Sequence, residues 1–172
     1  MRFYKGMTPW NKGSKGRYNN KPFEYKKAWL SGFLDGEGSF IASYTKNNDF
    51  CIALSINLRA DDDNTLKLVY ELFNNSGSLK YYRTNDKVKR NPIVTWKIAS
   101  ITDLFEKVIP ILDEYPLLSK KRRDYEIWKI IVSKLYKTKH KQISRNKIKE
   151  ELLKLINNLH KVKLYQERRN NE

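Results

Sequence analysis

At 172 residues, 40% of them hydrophobic and 13% aromatic, the chain can bury roughly two-thirds of its unfolded surface, which excludes a disordered tail or a stapled mini-protein. The single Cys51 excludes a disulfide framework and a thiolate zinc site, and no apolar run approaches the ~20 residues of a membrane span. A net charge of +16, with a pI near 9.8, predicts a polyanionic partner, of which nucleic acid is the commonest.

Residues 1–23, rich in glycine, asparagine and lysine, read as a basic irregular arm. The rest, 24–172, reads as one domain with a helical extension from about residue 140. The amino terminus lacks the apolar stretch of a secretory signal, so an intracellular protein with no membrane association is expected. Trp29 to Gly38 begins as an apolar helix and ends in two carboxylates and a glycine turn. Ala28, Gly32 and Gly36 recur every fourth residue, so one helix face is almost bare and a second helix can approach closely. Asp35 and Glu37 stand at the C-terminal end, where the macrodipole disfavours negative charge unless a cation or donor waits there.

Strand periodicity follows. Phe50, Ile52, Leu54, Ile56 and Leu58 alternate with Cys51, Ala53, Ser55, Asn57 and Arg59, which predicts one buried and one exposed face. Ser39 to Lys46 forms the other arm of a hairpin across Asn47-Asn48-Asp49. Asp61, Asp62 and Asp63 open a helix whose apolar stripe is Leu66, Val69, Leu72 and Phe73. A second hairpin pairs Ser78 to Arg83 with Pro92 to Ser100. Ser100 and Asp103 then begin a helix in the manner of a capping box, and Pro116 ends it. Two further helices are expected at about 119–136 and 144–165. Trp29, Trp96 and Trp128 read as core, while His140 and His160 lack companions at metal-ligand spacing.

Aligned without gaps, Leu30 to Gly38 resembles the signature of the LAGLIDADG homing endonucleases, with Ser31, Phe33, Leu34, Gly36 and Glu37 as conservative departures. The order of elements from about 24 to 135 resembles one unit of that family. The resemblance implies an α+β fold: an αββαββα unit with an antiparallel saddle-shaped sheet, followed here by extra C-terminal helices. One signature per chain implies a homodimer paired through Ala28, Gly32, Asp35 and Gly36, with Asp35 capping the partner helix. Glu37 is the family's metal-binding acid and the Gly36 carbonyl usually joins it. Paired carboxylates with hard oxygen donors suit Mg²⁺. The resemblance puts a basic residue at the scissile phosphate, here Lys120, and a water-positioning polar residue at Ala60 or Asp61.

The same resemblance lays the exposed sheet face on DNA. The groove-facing candidates are Ser39, Ile41, Ser43, Thr45, Ser55, Asn57, Arg59, Ser78, Lys80, Tyr82, Thr95 and Lys97. Of these, Arg59, Lys80 and Lys97 suit guanine edges and Asn57 suits adenine, while Lys121, Arg122 and Arg123 suit phosphates. A ten-residue strand spans about 33 Å, or ~10 base pairs, so a homodimer would cover about 20 base pairs of near-palindromic duplex. The expected activity is metal-dependent, site-specific double-strand cleavage serving the homing of a mobile intron or similar element. Two other functions fit the fold: an RNA-binding maturase for the host intron, and a DNA-binding regulator without catalysis. Lys-, Asn-, Ile- and Tyr-rich usage suits the AT-biased genome of a mitochondrion, chloroplast or prokaryotic mobile element.

Overall fold

Four strands form an antiparallel sheet in the order β1-β2-β4-β3: β1 (Ser39–Tyr44), β2 (Phe50–Arg59), β3 (Ser78–Tyr82) and β4 (Ile93–Ile98). The structure is a computed structural model that describes residues 23–46, 49–82, 91–140 and 144–160. The expected basic arm, up to residue 22, and the chain beyond His160 lie outside the described residues.

Helix α1 (Phe23–Glu37) leads directly into β1, and a 3₁₀ turn (Ala60–Asp62) joins β2 to α2 (Asp63–Leu72). After the second hairpin come α3 (Ile101–Asp103), a π turn (Leu104–Val108) and α4 (Ile109–Glu114), which run on as one rod, then α5 (Lys121–Lys139) and α6 (Arg145–His160). The rod starts as expected, with the Ser100 hydroxyl accepting the Asp103 amide at 3.3 Å. Its π turn was not legible in the sequence. Pro110 lacks the amide that would continue the ladder and crowds the preceding turn, and a wider turn relieves both problems.

The even face of β2 and its register partners carry the core. Ile52, Leu54, Ile56, Val94, Trp96 and Ile98 are all at most 3% exposed, beneath Leu66 and Val69 of α2 and Trp128, Ile131 and Val132 of α5. Trp96 stacks on Phe73 at 5.2 Å and donates its indole N–H to the Ser76 carbonyl at 3.1 Å. The chain reaches that position through a left-handed turn: Asn74, Asn75 and Gly77 have φ of 51°, 55° and 93°. A Cβ on Gly77 would lie 2.7 Å from the Lys97 carbonyl oxygen, so the turn needs glycine for both conformation and space.

Trp128 is core, as the sequence suggests, and its indole N–H also donates to the Ile41 carbonyl at 3.1 Å. That bond satisfies a backbone acceptor on the edge strand β1 and protects the edge from pairing. Trp29 is only half-buried, stacked on Phe33 at 5.1 Å beside the core. The last helix is not an appendage, because Ile148, Leu152 and Ile156 of α6 belong to the same apolar cluster.

Alternation on β2 is less clean than its sequence suggests. Ala53 is fully buried and Ser55 is 5% exposed, although both lie on the face turned away from the helices. Each is a short side chain on a central strand beside one longer neighbour, Ile41 of β1 for Ala53 and Lys97 of β4 for Ser55. The Ser55 hydroxyl donates to the Trp96 carbonyl at 3.2 Å. Thr45 lies beyond the last residue of β1; its amide donates to the Asp49 carbonyl at 2.8 Å and its hydroxyl accepts the Asp49 amide at 3.3 Å. Of the groove-facing candidates, Ser55 is thus buried and Thr45 belongs to the turn.

Candidate active site and sheet face

The end of α1 and the start of α5 clasp each other through opposite charges. Asp35 Oδ2 accepts the amides of Leu118 at 3.0 Å and Ser119 at 2.9 Å, and Oδ1 accepts the Ser119 hydroxyl at 2.6 Å. In return the Lys121 ammonium donates to the Gly36 carbonyl at 2.8 Å and more weakly to Leu34 at 3.4 Å. Each charge meets the helix end whose dipole favours it, the acid at the start of α5 and the cation at the end of α1. Of the two acids at the end of α1, Asp35 therefore does have donors waiting, while Glu37 stays exposed beside the Lys121 cation.

Two of the expected site residues lie at this clasp. The Asp35 carboxylate, expected to cap a partner helix, engages both oxygens at the start of α5 of its own chain. Helix α5 starts at Lys121 and directs that side chain to the end of α1, while Lys120, the residue expected at the scissile phosphate, is exposed on the turn before it, with Arg122 and Arg123 exposed beyond. One residue along a helix changes the facing direction by about 100°, so the choice turns on where α5 begins.

Burial pushes the Lys121 ammonium below its usual range, opposed by the negative charges of Asp35, Glu37 and Asp124. For Asp35, burial raises the pKa, but the Ser119 hydroxyl, the Ser119 and Leu118 amides and the Lys121 charge together hold it below its ordinary 3.8. Because the folded value is the lower one, this group's stabilisation is complete above the unfolded value and fades as pH falls through the folded one. Asp35→Asn is expected to cost about 1 kcal/mol at neutral pH, allowing for solvent screening at this half-exposed site. Urea unfolding of both proteins between pH 7 and pH 2 should show that gap closing below pH 4. A gap independent of pH would mean that the charge contributes nothing.

Gly38 is buried and follows α1 so closely that a Cβ there would lie 2.6 Å from the Leu34 carbonyl oxygen. This tight exit sends the chain straight into β1 and leaves Glu37 exposed at the head of the sheet. Ala28, Gly32 and Gly36 are all exposed, and a Cβ at either glycine would meet nothing within 4 Å. Beside this open face runs a groove of about 290 Å³ lined by Ala28, Ser31, Gly32, Asp35 and residues 114–118, with Leu118 on its rim 88% exposed. The Ser31 hydroxyl ties the groove together by donating to the Tyr115 carbonyl at 2.5 Å.

Strand register arranges the remaining candidates in rows. Ser39, Ser55, Lys97 and Ser78 form the row that begins two residues after Glu37. The next row is Asn57, Thr95 and Lys80, and the last is Arg59, Ile93 and Tyr82. In the opposite direction Ile41 faces Ala53 and Ser43 faces Cys51. The charged side chains of this face thus lie on β2, β4 and β3, while the β1 wing is small and uncharged.

Ser55 stands opposite Ser39, the first residue of β1, and the water-positioning candidates Ala60 and Asp61 follow the end of β2, past the start of β1. Asp61 lies six residues further on, roughly 15–20 Å from that row at strand rise, and its carboxylate accepts Arg59 Nη2 at 2.7 Å. The Thr95 hydroxyl donates to Asn57 Oδ1 at 2.6 Å, which leaves the Asn57 amide hydrogens pointing outward as donors. The Asn57 oxygen already accepts one hydrogen bond, so bidentate adenine readout would have to share it.

Comparisons with known proteins converge on one family. The family model described as LAGLIDADG endonuclease matches residues 30–132. The chain is 30% identical over 119 residues to the probable intron-encoded endonuclease 2 of Neurospora crassa, covering 66% of this chain and 25% of that protein. Among solved structures it is similar to the LAGLIDADG homing endonuclease I-GzeII in complex with its DNA target, with TM-score 0.64 and 27% identity, covering 76% of this chain and 43% of that one. The LAGLIDADG meganuclease I-AabMI bound to uncleaved DNA aligns with TM-score 0.61 and 29% identity, covering 75% of this chain and 42% of that one. The chain thus spans a quarter of that curated relative and under half of either structural neighbour.

Proposed function

The chain belongs to the LAGLIDADG endonuclease family, and on that premise we propose that it is a homodimeric, Mg²⁺-dependent endonuclease that cuts both strands of a long, near-palindromic DNA site. One observation carries this reading: an exposed carboxylate, Glu37, ends a helix whose glycine face is open and heads the polar row of the sheet. A second copy laid on the Ala28–Gly32–Gly36 face would bring two Glu37 carboxylates together. It would also cover the exposed Leu118 and the groove beside it, which are apolar surface that water disfavours.

The donor set fits a hard cation. Glu37 and the Gly36 carbonyl offer oxygen ligands, and among the described residues no group of three or more His, Cys, Asp or Glu side chains competes for a metal. The rest of the coordination shell would come from the second copy, phosphate oxygens and water. When bound, Mg²⁺ would activate the attacking water and stabilise charge on the leaving oxygen. Lys121 holds the Gly36 carbonyl, and a cation on that oxygen would repel the ammonium and favour its release. Burial already disfavours the charge on Lys121, and freed from Gly36 the ammonium would be available to a phosphate placed at the end of α1. The strand face supplies the groove contacts, with Lys80, Lys97 and Arg59 as its cations.

The direct test is selection from a long random duplex library, once in Mg²⁺ and once in Ca²⁺. One near-palindromic sequence cut in Mg²⁺ and only bound in Ca²⁺ is the expected result. Specific binding without cleavage in either metal would replace the proposal with a regulator. No specific duplex binding would redirect the search to intron RNA.

A further inference from the structure

The three successive acids after β2 have three different environments. The Asp62 carboxylate accepts the Thr65 hydroxyl at 2.6 Å, and Asp63 binds Lys67 at 2.7 Å and the Tyr81 hydroxyl at 2.9 Å, so both are used in holding α2. Asp61 alone turns back to the sheet, where it holds Arg59 Nη2 at 2.7 Å with side chains 66% and 64% exposed respectively. An exposed ion pair of this kind contributes little to folding. A carboxylate beside a surface meant to meet a polyanion is, moreover, an electrostatic cost. Its geometry explains its presence better than its stability does. A single contact to one Nη leaves most of the guanidinium donors free, and it fixes a long, rotamer-rich side chain before any ligand arrives. The other members of the row, Ile93 and Tyr82, carry no charge that competes for Arg59.

We propose that Asp61 is a positioning residue that holds Arg59 for the O6/N7 edge of a guanine in the major groove, and so sets the base preference at one position of each half-site. This rests on the reading of the sheet as a DNA face. When a guanine lies opposite, Arg59 serves both the base and Asp61. When another base lies there, Arg59 stays fixed on Asp61 with its remaining donors turned to an edge that cannot accept them, so the pair discriminates by unmatched donors as well as by attraction.

Base-preference profiles in Ca²⁺ for the wild type, Arg59→Ala and Asp61→Asn test this, alongside binding to a non-cognate duplex over a salt series. The wild type should prefer guanine at one position per half-site, and Arg59→Ala should erase that preference. Asp61→Asn should reduce the preference at the same position about tenfold or more. Its affinity for the non-cognate duplex should hold or rise, with a slope of log K against log salt steeper by up to about one. A simple folding defect would instead weaken every position together. Unchanged preference in Asp61→Asn, uniform weakening, or a change at a position that ignores Arg59→Ala would each overturn the assignment while leaving the DNA reading intact. A wild type that selects no duplex would overturn the DNA reading itself, and this assignment with it.

Discussion

Glu37→Gln is expected to abolish DNA cleavage while leaving DNA affinity intact or slightly higher. The substitution keeps the shape of an exposed side chain, so nothing in the fold depends on it. What it removes is the charge of the one carboxylate at the end of α1 that is not engaged in capping. Asp35, two residues earlier, has both oxygens committed to Leu118 and Ser119 and cannot take its place without releasing the start of α5. Metal-assisted stabilisation of a phosphodiester transition state amounts to several kcal/mol. At tenfold per ~1.4 kcal/mol, the loss should be about a thousandfold or more in the single-turnover rate. Removing a negative charge beside the phosphates should make binding more, not less, favourable, so gel-shift affinity in Ca²⁺ is the control. Retained cutting would move the catalytic acid elsewhere. Joint loss of cutting and binding would make Glu37 a structural residue.

The contrast between Asp35 and Glu37 shows where sequence reading succeeds and where it stops. Both are acids at the end of one helix, and the sequence marks that end as unusual because the dipole there rejects negative charge. It does not say which acid is engaged within the fold, because the donors lie more than 80 residues away. The same limit hid the contact of Lys121 with the end of α1, since the first residue of a helix sets which side chain faces inward and helix starts are poorly marked locally. The hairpins, the order of helices and the even face of β2 were all legible, because a period of two or of 3.6 is a local property of the chain. Burial of Ser55 was not, as it depends on the length of neighbouring side chains on other strands. Asp61 was read as a catalytic candidate from the resemblance, which places a polar residue near the end of the second strand, and the register puts it just past the Arg59 end of β2, beyond the start of β1.

Gly32→Leu is expected to leave the isolated chain folded and yet eliminate both self-association and cutting. Within one chain there is room for the substitution, because a Cβ at Gly32 meets nothing within 4 Å and the position is exposed. Leucine is also the better helix former by up to about 1 kcal/mol, so thermal stability of the monomer should hold or increase. If α1 packs on a second α1 through its bare face, however, the axes must approach more closely than a leucine on that face allows. The separation would grow by a few ångströms, and the two Glu37 carboxylates would no longer share one set of ligands. Positioning errors of about 1 Å can already cost a hundredfold in rate. Sedimentation velocity of the wild type and variant at matched concentrations reads the association, and cleavage of the selected duplex reads the consequence. A variant that remains dimeric and active would place the interface elsewhere on the molecule. A variant that unfolds would contradict the open space around Gly32. Only loss of the dimer with a folded monomer ties the empty helix face to the pairing proposed for cutting both strands.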